Sequence, residues 1–112
     1  MKSIIVATIA LLCPTLCWGA LVSGVVGRVT QLWTYTDFNG DVVINVQTPV
    51  TQCADGFWLR MTDTGAKQVY AAVLAAYHAQ TPLSVYAYDD QLWTGTTGHV
   101  CRIYVISNAP GS

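Results

Sequence analysis

One segment of this chain breaks the rhythm of the rest. Ala66–Ala79 reads AKQVYAAVLAAYHA, with alanine, valine, leucine and tyrosine filling successive turns. Asp63 or Thr64 is placed to cap it, and Pro82 follows as a stop, so the pattern predicts a helix. The sequence on both sides runs in strand period. In GRVTQLWTYTDFNGDVVINVQTP, Asn39-Gly40 separates two β-rich runs and predicts a two-residue hairpin turn. That turn places Tyr35 opposite Ile44, Trp33 opposite Val46 and Thr34 opposite Asn45. GFWLRMT reads as a third strand with Phe57, Leu59 and Met61 on one face. PLSVYAY and HVCRIYVIS read as the fourth and fifth. A chain of three strands, one helix and two strands is mainly β, of the α+β class.

The first 19 residues do not belong to this pattern. A lysine, an apolar run over 4–12 and a region of small residues ending at Gly19 have the form of a secretory signal peptide. The apolar run is too short and wrongly flanked for a membrane span. Residues 20–112 then form one domain of about 93 residues, secreted or periplasmic. Two of the four cysteines remain, Cys53 and Cys101. In an oxidising compartment such a pair most simply forms one disulfide, with two free thiols or a metal site as alternatives. Closing a loop of this length contributes roughly 4 kcal/mol in the chain-entropy account. Arg28, Arg60, Lys67 and Arg102 face six aspartates, and there is no glutamate. Without a basic cluster the chain lacks what nucleic-acid binding needs, because phosphate neutralisation supplies most of that affinity.

Strand, strand, strand, helix, strand, strand is the order of the OB-fold, a five-stranded, partly open barrel with a helix between strands three and four. A disulfide between Cys53 and Cys101 would tie the loop before strand three to strand five. The helix has nine consecutive apolar or aromatic residues over 69–77, with its polar residues gathered at the ends. A helix lying on a barrel with its other side in water should carry a polar stripe. Burial on two sides accounts for its absence: Val69, Tyr70, Val73, Leu74 and Tyr77 would be shared between the helix's own barrel and a neighbouring subunit. The competing reading is an alanine-rich helix whose small residues are tolerated in water.

The segments CADGFWLRMTDTGAKQVYAAVLAAYHA, VYAYDDQLWTG and CRIYVI resemble a group of small, secreted, largely uncharacterised bacterial proteins. In strand order, size, signal peptide and single disulfide the chain is also similar to the B subunits of AB-five toxins of the cholera, pertussis and subtilase cytotoxin types. That resemblance is one of architecture. It implies a homopentameric ring with the helices lining its centre, binding to cell-surface glycans, and a possible A-type toxin subunit as partner. It implies no ligand identity.

In such a barrel TYTDFNGD and DDQLWTGTTG are the loops that hold oligosaccharides or oligonucleotides. Tyr35, Phe38 and Trp93 offer flat apolar faces; Asp37, Asn39, Asp89, Asp90 and Thr94 offer hydrogen-bonding groups. Sugars present apolar C–H faces and hydroxyl rims, which this mixture suits. The competing reading is ordinary turn chemistry, with Trp93 plugging one end of the barrel. Asp37, Asn39 and Asp41 are spaced like part of a calcium loop, but the glycine comes too early and Thr48 stands where the glutamate belongs, so no metal is expected. His78 and His99 lie in no nucleophile motif, and Asp89-Asp90 diverge in an extended stretch, so neither an enzyme nor a cofactor is expected. The leading expectation is a ring-forming glycan-binding protein. The alternative is a protein-binding module, such as an inhibitor or envelope accessory, with no lectin activity.

Overall fold

Residues 21–107 are described by a computed structural model; the expected signal peptide, 1–19, and the tail from 108 onward lie outside the described residues. The strands are β1 Leu21–Gly27, β2 Val29–Thr34, β3 Val42–Val46, β4 Gly56–Leu59, β5 Leu83–Leu92 and β6 Val100–Ser107, and the helix is α1 Ala66–Ala79. All six strands join one sheet in the order β1-β5-β6-β4-β3-β2. Pairing is antiparallel except between β4 and β6, which run parallel.

Among the described residues six strands stand where five were expected. The additional one is β1, LVSGVVG, whose serine and two glycines weaken the strand signal. It is a strand because it pairs with β5. Its position decides the shape of the sheet. β1 and β2 are the two edges, yet only Arg28 separates them in the chain. Two edges joined by one residue must lie close together, so the sheet curls into a barrel-like form. Hydrogen bonds fasten the junction: Gln47 N donates to Arg28 O (2.9 Å) and Thr48 Oγ1 donates to Val26 O (2.9 Å).

Side chains inside the curl form the main core. Phe57, Ile44, Leu83, Val29, Val73 and Val85 are its largest fully buried members. Leu83, Val85 and Ala87 alternate inward along β5, while Ser84, Tyr86 and Tyr88 are only half-buried. α1 covers the core with Ala66, Val73 and Ala76, and Val69, Tyr70 and Tyr77 pack beside them. The helix has the expected bounds but not the expected cap. Gly65 is the N-cap, with no side-chain cap bond, and the Asp63 carboxylate is turned to arginines instead. At the other end Gln80 is left-handed, and Thr81 N donates to Ala76 O (3.1 Å) before Pro82.

Cys53, in a short turn before β4, is bonded to Cys101 in β6, with Cα atoms 5.5 Å apart. Phe57 pairs with Cys101 in the parallel ladder, so the bond lies beside the contact between β4 and β6. These strands are joined in sequence only through α1 and β5. A pairing so distant along the chain gains most from a covalent tie.

Candidate functional site

The β2–β3 hairpin differs from the expected one, and the difference builds the site. Trp33 pairs with Val43, Leu32 with Ile44 and Thr34 with Val42, a register three residues away from that of a two-residue turn. Phe38, Asn39 and Gly40 all have positive φ (55°, 58° and 76°) within a wider loop that Tyr35 N closes on Asp41 O (3.1 Å). An odd shift exchanges faces. Ile44 and Val46, expected on the face of Trp33 and Tyr35, go instead into the core, where Ile44 is fully buried. Trp33 and Val43 take the outer face, and Trp33 is 40% exposed.

On that outer face lies a second apolar cluster: Val43, Trp58, Trp93 and Val100, with Tyr35 packed against it. Trp58 alternates with Phe57 and Leu59 along β4, so it points away from the main core. Its Nε1 donates to Gln91 O (2.9 Å). Trp93 is folded down from the loop after β5 and is only 6% exposed. Its backbone N donates to Val100 O (3.0 Å), and its Nε1 donates to the buried Asp41 carboxylate (3.3 Å). Met61 N donates to the other oxygen of Asp41 (3.3 Å). Asp41 therefore couples the loop after β2 to the loop after β5.

Tyr35 and Phe38 meet the Trp93 ring of this floor. Tyr35 and Trp93 are 5.1 Å apart between ring centroids, Phe38 and Trp93 5.1 Å, and Tyr35 and Phe38 5.8 Å in an edge arrangement. Such offset contacts suit aromatic quadrupoles. Phe38 is 45% exposed at the loop tip, in a backbone conformation uncommon for a bulky residue. The result is a face with a buried tryptophan base and Phe38, Trp33 and half-buried Tyr35 toward solvent.

The loop 94–99 is shaped around neighbouring side chains. A Cβ on Gly95 would stand 2.3 Å from the Trp93 ring, and one on Gly98 would stand 2.6 Å from the Asp55 carboxylate. That carboxylate accepts from His99 N (2.8 Å), while Asp55 N donates to His99 O (3.2 Å). Both glycines thus serve close approach within the protein.

Ring contacts bring the loop of Tyr35, Asp37 and Asn39 against Trp93, which Thr94 follows in the chain; Asp37, Asn39 and Thr94 are exposed. Asp89 and Asp90 lie within β5, where the pairing is irregular between Tyr88 opposite Arg102 and Leu92 opposite Cys101. Asp89 is half-buried and Asp90 exposed. Trp33, Val43, Trp58 and Asp41 were not among the expected site residues. Strand alternation against Phe57 and Leu59 was a usable signal for Trp58; Asp41 had none.

Of the five helix residues expected to be shared with a neighbouring subunit, Val73 is buried in the main core, and Val69, Tyr70 and Tyr77 pack on it. Leu74 is half-buried, and the exposed residues of α1 are Lys67, Gln68, Ala71, Ala75, His78 and Ala79. A groove of about 290 Å³ runs between the start of α1 and β6, with Val69, Ile103 and Tyr104 in its lining. Asp63, in its wall, accepts from Arg102 (2.8 Å) and Arg60 (2.9 Å). Burial raises the Asp63 pKa, but hydrogen bonds and charge from the two arginines outweigh burial and hold the carboxyl below its ordinary value. Among the described residues no helix is long and apolar enough to cross a membrane, and no group of His, Cys, Asp or Glu side chains is placed to hold a metal. Set against known protein families, curated proteins and solved structures, the chain matches none.

Proposed function

We propose that this protein is a secreted binding module of the OB type, without catalytic activity, that holds a glycan on the aromatic face between the loops at 35–41 and 93–99. The observation that carries this reading is the convergence of Tyr35, Phe38 and Trp93 from two loops far apart in sequence, with exposed polar side chains beside them. Support for the OB barrel comes from the junction at Arg28. β1 and β2 read together as one bent strand, which returns the count to five with the helix between the third and fourth. In that fold the two loops and the strands between them form the ligand face.

The roles of the expected residues are redistributed. Phe38, Tyr35 and Trp33 stack on sugar C–H faces, while Asp37, Asn39 and Thr94 receive or donate hydroxyl hydrogen bonds. Trp93 is the support beneath them. Asp89 and Asp90 flank the face from β5. A ring of subunits, with or without an A-type partner, would convert weak single-site binding into strong attachment. The packing of Val69, Tyr70, Val73 and Tyr77 on their own core leaves that assembly to be carried by the architectural resemblance and by the surface of α1 around Ala71 and Ala75.

The test is a glycan screen with the oxidised protein, followed by Phe38→Ala. Phe38 is exposed enough for its removal to spare the fold, and we expect about tenfold weaker binding, the equivalent of about 1.4 kcal/mol. Retention of full affinity in this variant would remove the face from consideration. A second reading, docking to another protein, is favoured by exposed Val26 (44%), Tyr104 (56%) and Val105 (39%) on β1 and β6. Absence of glycan binding, with partner capture lost on Tyr104→Ala, would establish it instead.

A further inference from the structure

We propose that the glycan held on this face carries no anionic group, an inference that rests on the binding reading above. The aromatic rings define the site, and the charges around them define what approaches it. Asp37 belongs to the loop that carries Phe38, and Asp41 lies beneath Trp93. Asp55 is bonded to the backbone of His99 at the end of the second loop. Asp90 is exposed in the irregular part of β5, immediately before Gln91, whose carbonyl receives Trp58. Asp63 holds Arg60 and Arg102.

The arginines are committed elsewhere. Arg60 is paired with Asp63, and Arg28 Nε donates to Gln80 O at the end of α1 (2.8 Å). Lys67 lies in the first turn of α1. Arg102 comes nearest, beside Trp58 in the parallel ladder. Its Nε and one terminal nitrogen donate to Asp63, and the other terminal nitrogen donates to Gln91 Oε1. The guanidinium also lies 5.5 Å from the Tyr88 ring centroid. A sulfate, carboxylate or phosphate on the ligand would therefore meet carboxylates of its own sign beside an apolar wall, with the nearest guanidinium already neutralised. A hydroxyl meets the opposite situation: a carboxylate is an acceptor, and its hydrogen bond from a neutral donor is charge-assisted.

The experiment measures binding of the oxidised protein to galactose- and N-acetylglucosamine-terminated oligosaccharides and to the same oligosaccharides bearing sulfate or sialic acid. Neutral forms should bind, with their anionic counterparts at least about tenfold weaker at low salt. The ratio should shrink as salt is raised, and it should shrink in a double Asp37→Asn, Asp90→Asn variant. Equal or tighter binding of the anionic forms overturns the inference and leaves the glycan reading standing. A ratio insensitive to both salt and the double variant also overturns it, since the discrimination would then not be electrostatic. Binding to no oligosaccharide of either kind overturns the glycan reading and the inference with it.

Discussion

Gly95 has no side chain because Trp93 occupies the space one would need, and that contact decides how the whole second loop is understood. A methyl group at this position would press on the indole at 2.3 Å. The ring cannot retreat freely, since it is packed against Val43, Trp58 and Val100 and donates to Asp41. Gly95→Ala should therefore cost about 1–3 kcal/mol, as overpacking does, measured as a lower urea midpoint accompanied by a change in tryptophan fluorescence. An unchanged midpoint would mean that the loop is free of the indole. Asp63 supplies the second test at this scale. Its pKa is lowered on folding, so the unfolded chain takes up the proton first as the pH falls. The stabilisation is present above the ordinary carboxylate value of 3.8 and is lost as pH falls through the lower folded value. Asp63→Asn should lose about 1 kcal/mol at pH 7, and the difference from the parent should close as the pH drops below that range. Urea midpoints at pH 7 and in acid give the comparison.

The helix illustrates what local pattern can and cannot convey. Its start at Ala66 and its end at Ala79 were legible from the change of period, the small residues and Pro82, because these act within a turn or two of chain. Which sides it buries was not legible, because valine, leucine and alanine run all the way round. In the fold, Val73 and Ala76 face the core while Ala71 and Ala75 face outward. Ala75→Lys places a charge on that outward stripe. In a single subunit the change should move stability by no more than about 0.5 kcal/mol. If the helices line a ring, the same substitution should reduce the native mass to that of one subunit, because it buries an unpaired charge. Native mass spectrometry of both proteins separates the two outcomes. The hairpin gives the converse lesson. Asn39-Gly40 correctly marked a reversal of the chain, but the loop is wider and the register lies three residues away, set by burial of Ile44 and by the Asp41–Trp93 contact.

At the scale of the molecule, the curl of the sheet and the disulfide address the same difficulty: strands distant in sequence have to be neighbours. β4 and β6 pair over only three positions, Gly56 to Trp58 against Val100 to Arg102, and Cys53–Cys101 secures that seam. Replacing both cysteines by serine should cost about 2–4 kcal/mol in thermal or urea unfolding, with the loops at 35–41 and 93–99 loosened together because β6 carries Val100 beneath Trp93. A loss near zero would show that the curled sheet closes without the bond. The sequence by itself determined the helix, the residue types of the two loops and the mainly β class, and it favoured a bond between Cys53 and Cys101, since each depends on spacing and composition along the chain. Only the tertiary structure decided that LVSGVVG becomes an edge strand, that Trp93 is a floor and Phe38 a surface, and that Asp41 joins the loops. Those outcomes are fixed by burial and hydrogen bonding between residues far apart in sequence, for which the chain carries no local signal.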